Sequence, residues 1–402
     1  MEWALPALRL VSGACVAVGL SLSPSLISIG VGGAALSALV DSSLRANLRK
    51  TFHAWRGLYL PFLLLYGLHA ISWLYTTDKA QWLVEMRIKI PFLFLLPASI
   101  VLWRRYGEAE RKAIHLLFHL GLLVVGIGTL WRFLQNPAWG LEEIKHGRYI
   151  PMVGGISHIY YAGLVGVGLF FLWELPLYGG RFWRFLIGGV HVFILHSLAL
   201  RTGLGALYGT LIVLLMIWAI KDFRRWLWAI GAIAGIGMVV VIAVLYFPPM
   251  QRRWQSLRED LATYKRGHYI TYSSVARRLA ALQASCYAFQ HAPIWGVGIA
   301  DNQAAVFAQI PRLPYRWDKE TYILPHNQFV EYAVGLGLIG AALFVAFWVS
   351  AFRQRLGMLW VGWLVYWLLL MQVEAFLERQ VGVTAFLWGM GTLWAQLTQG
   401  KS

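Results

Sequence analysis

A histidine and an asparagine precede a long apolar stretch, in the order Leu-Pro-His-Asn-Gln-Phe-Val-Glu at 324–331. A proline just ahead of apolar sequence indicates a helix start, so we expect His326 and Asn327 in a first helical turn. The partial positive charge there attracts anions and favours neutral imidazole, the form that accepts a proton. His326 is therefore a candidate general base, with Asn327 and Glu331 on one face beside it. Simple helix capping by the His-Asn pair is the structural alternative.

Several arginines stand in or next to apolar sequence, where a charged side chain needs a partner and suggests function. Arg201 lies in a short Leu-Arg-Thr-Gly turn between two apolar runs. Guanidinium groups bind pyrophosphate through paired hydrogen bonds. We expect Arg148, Arg201, Arg266 and Arg278 to form a pyrophosphate site, with Arg277 as a possible substitute for its neighbour. For Arg201, extension towards lipid phosphate is the alternative.

His158 follows a Gly-Gly pair at 154–155. Two glycines let the backbone approach a ligand closely, which makes His158 a secondary candidate for the same site. A loop with no function explains the same pattern.

The sequence contains no zinc-protease motif, no phosphate-binding P-loop and no serine-hydrolase elbow in a suitable context. The connections also carry no compact acidic cluster that would hold Mg²⁺ against a phosphate. The two cysteines, Cys15 and Cys286, form no Cys-x-x-Cys motif. We therefore expect no metal and no cofactor, so that arginine side chains take over the charge-stabilising role of a metal.

The composition is that of a membrane protein, because 59% of the 402 residues are hydrophobic and only 13% are charged. A net charge of +17 could indicate nucleic acid in a soluble protein. In a membrane protein, basic cytoplasmic connections explain much of it, so nucleic acid is not an expected partner. Apolar sequence near the N-terminus without a basic leader predicts a retained first helix and no signal peptide.

Twelve apolar runs predict an all-α, polytopic membrane protein with about 12 transmembrane helices. The runs lie near 5–22, 24–40, 57–75, 88–103, 113–134, 158–177, 184–200, 203–220, 226–247, 326–351, 357–373 and 381–398. The alternation that β-barrel strands would show is absent from these runs.

The basic residues of the short connections predict the orientation. They cluster at 45–56, 104–112, 181–184, 221–225 and 353–355, which an even number of runs separates. We expect that side and both termini to be cytoplasmic. The opposite face then carries a smaller periplasmic loop at 135–157 and a large one at 248–325. The expected organisation is a transmembrane bundle of about nine helices over 1–247, the large loop, and about three further helices over 326–402 in the same domain.

The large loop is basic, with ten basic residues against five acidic ones and a net charge of +5. Apolar residues with helical spacing predict two amphipathic helices within 253–291. The proposed apolar faces contain Trp254, Leu257 and Leu261 in the first helix, and Val275, Leu279, Leu282 and Cys286 in the second. Binding of these arginines to lipid phosphates at the interface is the alternative to a substrate site.

The order of these features resembles the O-antigen ligase and polymerase superfamily. The likeness rests on the Arg-Thr-Gly turn after an apolar run, Ser-Val-Ala-Arg-Arg-Leu at 274–279, Pro-Ile-Trp-Gly-Val-Gly-Ile at 293–299, and His-Asn-Gln-Phe-Val-Glu followed by Gly-Leu-Gly-Leu-Ile-Gly up to 340. It is most specific over 270–340. The resemblance implies a glycosyltransferase of lipopolysaccharide biosynthesis in the Gram-negative inner membrane, with a periplasmic active site.

The ligases of this superfamily transfer O-antigen polysaccharide from undecaprenyl pyrophosphate to lipid A-core, with inversion and without a metal. The resemblance implies that His326 is the catalytic base, that Arg201 is the arginine after the span, and that Arg278 is the loop arginine four residues after Ser274. Family members often carry asparagine or another polar residue where this chain has His158. Implied partners are the lipid-linked donor, the lipid A-core acceptor and membrane lipids.

Two other functions fit the same residues. An O-antigen polymerase or a protein O-oligosaccharyltransferase would use the same lipid carrier and a similar His-Asn and arginine pattern. A lipid-linked oligosaccharide flippase would instead line a translocation path with arginines, and should show two similar halves, which this sequence lacks. The compact chain with a single large loop favours a ligase.

Overall fold

The computed structural model describes residues 4–40, 42–145, 148–174, 180–220, 222–266 and 269–398. Side chains at 42–45, 47–56 and 173–174 also lie outside this description. Some predictions fall on the remaining residues and therefore lie outside the described part of the chain. They concern the basic side chains at 45–56, Lys221, and parts of the run at 158–177 and of the loop at 135–157.

The described part of the chain is α-helical and contains no β-strand, only one isolated bridge between Tyr269 and Arg316. The predicted all-α class is confirmed. Its α-helices are α1 (Ala4–Leu22), α2 (Pro24–Val40), α3 (Ser42–Ile71), α4 (Lys79–Lys89), α5 (Leu95–Arg105), α6 (Glu108–Gln135), α7 (Pro137–Lys145), α8 (His158–Glu174), α9 (Arg181–Ser197), α10 (Arg201–Ala219), α11 (Phe223–Tyr246), α12 (Pro248–Arg266), α13 (Ser274–His291), α14 (Asn302–Gln309), α15 (Gln328–Phe352), α16 (Met358–Met371) and α17 (Gln380–Leu397).

Short 3₁₀ helices supplement them at Ser72–Leu74, Ile90–Leu93, Val153–Gly155, Ile310–Arg312, Lys319–Thr321 and Phe376–Glu378. Helix α3 runs through the connection expected between the second and third apolar runs. That connection is rich in Leu, Ala, Arg and Lys, which all have a high helix propensity. A helix can therefore continue through it although the segment is polar.

Six helices in the described residues are long and apolar enough to cross a membrane, or seven if α4 and α5, bent by 41°, form one broken span. The six are Ala4–Leu22, Gly57–Leu74, Glu108–Gln135, Arg201–Ala219, Phe223–Tyr246 and Gln328–Phe352. Shorter apolar helices lie at Pro24–Val40, His158–Leu172 and Met358–Met371. Twelve crossings stay a prediction, because several predicted runs form helices shorter than a bilayer normally requires.

An aromatic core holds the C-terminal helices against the N-terminal ones. Trp360, Trp363 and Trp367 line one face of α16 and are fully buried. Phe62 of α3 packs on Phe347 of α15 with ring centroids 4.6 Å apart. Such large rings join helices distant in sequence through close van der Waals packing.

The large loop has a second, smaller core, and α13 contributes small residues to it. Ala276, Ala280 and Ala284 lie one turn apart on α13 and are fully buried. Leu282 and Cys286, expected on an apolar face against the membrane or the bundle, are exposed. Inside the loop, α13 packs through its alanine stripe, because small side chains permit close helix packing.

The loop segment after α13 inserts into a break in α15. Gly337 interrupts α15 with φ 67°, and the amide of Leu338 donates to the carbonyl of Pro293 over 2.8 Å. The amides of Val297 and Gly298 donate to the carbonyls of Val334 and Gly335 over 2.9 and 3.0 Å. Broken helical backbone at membrane depth requires such partners, so the loop is fixed to the helix that follows His326.

We predict that Gly296→Ala destabilises the protein by about 1–3 kcal/mol, because the new methyl group overpacks this junction. A β-carbon at Gly296 would lie 2.4 Å from the carbonyl carbon of Gly335, and φ is 75°. Gly205→Ala on α10 is the control, since no atom lies within 4 Å of its new methyl group. Thermal unfolding in detergent should show a lower midpoint for Gly296→Ala alone; equal midpoints would contradict the close junction.

Candidate active site

The sequence predicted His326 in the first turn of α15. In the structure His326 lies before α15, outside the helix. Asn327 is the N-cap, and its side-chain oxygen accepts from the amides of Phe329 and Val330 over 2.9 and 3.1 Å. His326 before it adopts a left-handed backbone with φ 53°. That conformation is uncommon for a non-glycine residue and points to local strain that neighbouring contacts must hold.

The contacts that hold His326 come from the turn after α16. Its Nδ1 lies 2.8 Å from Oε2 of Glu374, whose side chain is nearly buried. Asn327 Nδ2 donates to the backbone carbonyl and the side-chain oxygen of Gln372 over 3.1 and 3.2 Å. In the tautomer with the proton on Nδ1, His326 donates to Glu374, and its Nε2 is available to accept a proton.

Arg201 begins α10 immediately after a tight turn. Ala199 in this turn has φ 50°, and its carbonyl accepts from the amide of Arg201 over 3.0 Å. The half-buried Arg201 side chain interacts electrostatically with Arg278 and Asp260. The turn therefore directs Arg201 to α12 and α13, which carry these two residues.

Arg278 lies near the start of α13, and Asp260 of α12 fixes that start. The carboxylate of Asp260 accepts from Ser273 Oγ over 2.7 Å and from the amide of Val275 over 2.9 Å. Asp260 thus caps α13 from a different helix. Burial lowers the pKa of Arg278, and Glu374 opposes that effect. Arg278 is therefore close enough to the partner of His326 to interact with it.

Arg253 of α12 belongs to the same group, although the sequence did not single it out. Its side chain is 8% exposed, and one guanidinium nitrogen donates to the backbone carbonyl of Arg148 over 2.5 Å. Burial lowers the pKa of Arg253 to about 10; the charges of Arg201 and Arg278 lower it too, and Asp260 opposes them. Arg253 keeps a buried Nε without a hydrogen-bond partner.

His158, the first residue of α8, joins this group. It interacts electrostatically with Arg253, Arg278, Arg201 and His326. Its ring stacks on that of Tyr149 with centroids 3.9 Å apart, and its Nδ1 is buried without a partner. We define the arginine cluster as Arg201, Arg253 and Arg278, with His326 and His158 next to it.

Of the three other arginines predicted from the sequence, Arg148 and Arg277 lie next to the cluster and Arg266 does not. Arg148 supplies its backbone to Arg253, while its own side chain is 68% exposed and lies 3.7 Å from Glu143. Arg277 donates to the carbonyl of Thr321 over 3.4 Å and interacts with Arg278. Arg266 is exposed at the end of α12, and no hydrogen bond or ion pair among the described residues joins it to the cluster.

A buried polar network supports the site from below. Gln328, the first residue of α15, donates to Glu378 over 2.8 Å, and Glu378 pairs with the fully buried Lys89 over 2.5 Å. Glu331 accepts from the side chain of Asn302. The paired groups Lys89, Glu378 and Gln328 fix the start of α15, while Oε2 of Glu331 and Oδ1 of Asn302 are buried without a hydrogen-bond partner.

Among the described residues, no group of three or more His, Cys, Asp or Glu side chains is arranged to hold a metal ion. The charged groups of the site are mainly cationic, and three of them are half-buried or buried. Chemically, this arrangement can bind a multivalent anion and accept a proton next to it.

Residues 186–345 match a family model described as O-antigen ligase. This chain carries a domain of the O-antigen ligase superfamily. The resemblance seen in the sequence is thus confirmed, and with the apolar helices it makes the chain a multi-pass membrane protein with a ligase- or polymerase-type activity in the O-antigen pathway. No curated protein matches the chain.

The matched ligase-family segment does not contain the whole site. It includes Arg201, Arg253, Arg278 and His326, whereas His158 and Glu374 lie on either side of it. Glu374 is hard to find from sequence, because only the fold brings the turn after α16 to His326. For Arg253 the sequence carries only its spacing, seven residues or about two helical turns before Asp260, which places the two on one face of α12 without saying that this face is buried.

We predict that Asp260→Ala destabilises α13, because it leaves the Val275 amide and the Ser273 hydroxyl without their acceptor. The expected loss is about 1–3 kcal/mol. Glu259→Ala removes the exposed neighbouring carboxylate and should stay within about 0.5 kcal/mol of the native protein. Unfolding midpoints and amide exchange across 274–291 would measure both; equal behaviour of the two variants would refute the capping role.

Proposed function

We propose that this protein is an O-antigen ligase that transfers polysaccharide from undecaprenyl pyrophosphate to a sugar hydroxyl of lipid A-core. The supporting observation is the single cluster of Arg201, Arg253 and Arg278 next to a carboxylate-bound His326. Membership of the O-antigen ligase superfamily supports a lipid-linked sugar donor and a lipid acceptor in general.

In the proposed reaction His326 is the general base. Glu374 holds Nδ1–H, and Nε2 accepts the proton of the acceptor hydroxyl as its oxygen forms a bond to the anomeric carbon. The bond between that carbon and the pyrophosphate oxygen breaks on the opposite face, so the anomeric configuration inverts. Glu374 also stabilises the imidazolium that results.

The arginine cluster is proposed to bind the departing undecaprenyl pyrophosphate. The leaving group gains negative charge as the glycosidic bond breaks, and guanidinium groups at fixed positions stabilise that charge most strongly where water is excluded. Burial lowers the pKa of Arg253 and Arg278, so that additional negative charge in the site would stabilise their charged forms. A bound diphosphate would supply it, so we propose a reaction that needs no metal.

The remaining candidate residues have narrower proposed roles. Arg148 and His158 form the wall next to Arg253, while Asn327 fixes the loop that carries His326. Glu331 supports the helix through Asn302. Arg266 is exposed at the end of α12, and its proposed contact with pyrophosphate rests on charge and position in the sequence.

The proposed location is the Gram-negative inner membrane, with both termini in the cytoplasm and the site on the periplasmic face. The basic short connections on one side support this orientation. Helices α12, α13 and α14 then form the large periplasmic loop at 248–325, above a bundle made by the helices of 1–247 and 326–402.

We predict that His326→Ala lowers the turnover of purified, reconstituted protein by about 10²–10⁴-fold, because it removes the proton acceptor. Glu374→Gln should lower kcat by about 10²-fold or more and change the donor KM little, since Glu374 acts through His326. Glu320→Gln changes an exposed carboxylate six residues before His326 and is the matched control. Near-normal turnover of His326→Ala would reject the base assignment.

The acceptor separates a ligase from a polymerase. With lipid-linked O-antigen and lipid A-core as the only added substrates, and with excess chelator, we expect glycan to appear on lipid A-core at an undiminished rate. Elongation of the lipid-linked glycan without lipid A-core would instead identify a polymerase. Activity that disappears with chelator and returns with Mg²⁺ would overturn the metal-free reaction.

A further inference from the structure

Helix α12 buries two charged side chains and leaves two large apolar side chains exposed, which is unusual for a helix of a loop. Arg253 and Asp260, two turns apart, are 8% and 5% exposed. Trp254 and Leu261 are 49% and 42% exposed. The sequence analysis expected Trp254 and Leu261 on an apolar face against the membrane or the bundle; both are exposed, and the inner face of α12 carries the arginine cluster.

The outer face of α12 is a single stripe. Trp254, Arg258, Leu261 and Lys265 follow at spacings of four, three and four residues, which place them on one side of a helix. All four are exposed. The guanidinium of Arg258 lies 5.7 Å from the ring centre of Trp254. We call these four residues the outer stripe.

The stripe begins where the lipid-facing surface of the bundle ends. Helix α11 is the most exposed candidate span, with 11% of its apolar window buried, and Tyr246 in its last turn is 76% exposed. Only Phe247 separates α11 from α12, and Gln251 of α12 donates to the carbonyl of Leu245 over 2.6 Å. The first turn of α12 is therefore tied to the end of a lipid-exposed helix, at the depth of the headgroups.

The composition of the stripe selects its partner. A tryptophan and a leucine alternate with two cations, and tryptophan and long basic side chains are the residues that bind at the membrane interface. Neither cation of the stripe forms an ion pair with a carboxylate among the described residues. Anionic headgroups supply charge complementary to Arg258 and Lys265, and the acyl chains below the headgroups contact Trp254 and Leu261.

We propose that the outer stripe of α12 binds anionic phospholipid, and that this contact holds Arg253 and Asp260, on another face of the same helix, in place. One helix then links the lipid surface to the arginine cluster and, through Asp260, to the start of α13. As a consequence, anionic lipid favours the conformation that binds the donor. This last consequence rests on the proposed ligase function, whereas the lipid contact does not.

The test compares the full-length protein in nanodiscs of phosphatidylcholine alone and of phosphatidylcholine with phosphatidylglycerol. Amide hydrogen exchange is measured over residues 248–266. We expect exchange to slow about fivefold or more when phosphatidylglycerol is present, since each cation near an anionic surface contributes a factor of that size. Arg258→Gln combined with Lys265→Gln should abolish the lipid response.

Arg312→Gln combined with Lys319→Gln is the matched control, because it removes two exposed cations of the same loop away from α12. This control should retain the response. Equal exchange in the two lipids, an intact response in the stripe variant, or the same loss in the control would each overturn the proposal. Protection that depends on two protein copies per nanodisc and not on lipid charge would assign the stripe to a protein contact and overturn it too.

A second measurement follows the donor. Its KM should rise several-fold in phosphatidylcholine alone for the native protein, and the stripe variant should have that higher KM in both lipids. If lipid slows exchange over α12 but no ligation occurs with either composition, the proposed function fails and the lipid contact stands. If ligation occurs with a KM independent of lipid while exchange responds, the coupling to the site is refuted.

Discussion

The site depends on one electrostatic constraint, the burial of several guanidinium groups around an imidazole with too few carboxylates to balance them. Asp260 and Glu374 lie within range of Arg201, Arg253 and Arg278, but both already accept other hydrogen bonds. Removing a cation from water costs several kcal/mol unless a counter-charge repays it. The proposed di-anionic substrate group would supply this counter-charge.

The rest of the structure maintains that arrangement. The loop segment inserted at Gly337 fixes the large loop to α15, and Asp260 fixes α12 to α13. The pair of Lys89 and Glu378 holds Gln328 under the site. Each of these contacts joins residues distant in sequence, so the position of His326 is determined by several independent elements and not by one flexible loop.

The sequence was sufficient for those parts of the account that depend on local pattern. Apolar runs predicted where helices lie, and the Arg-Thr-Gly turn and the His-Asn pair indicated residues that the fold brings together. It was insufficient where a contact crosses the chain. Glu374 follows a different helix, and nothing in its local sequence points to His326. The burial of Arg253 could not be predicted either, because an amphipathic pattern alone does not say which face a membrane protein turns inward.

Arg266 illustrates the same limit from the other side. Charge and position suggested that Arg266 binds pyrophosphate, yet the helix that carries it ends beyond the cluster.

The most direct measurement of the central claim is an electron cryomicroscopy structure of the protein with undecaprenyl pyrophosphate. The account predicts both phosphates within hydrogen-bond distance of Arg201, Arg253 and Arg278, next to His326. Phosphates bound elsewhere, with these three guanidiniums unoccupied, would contradict it.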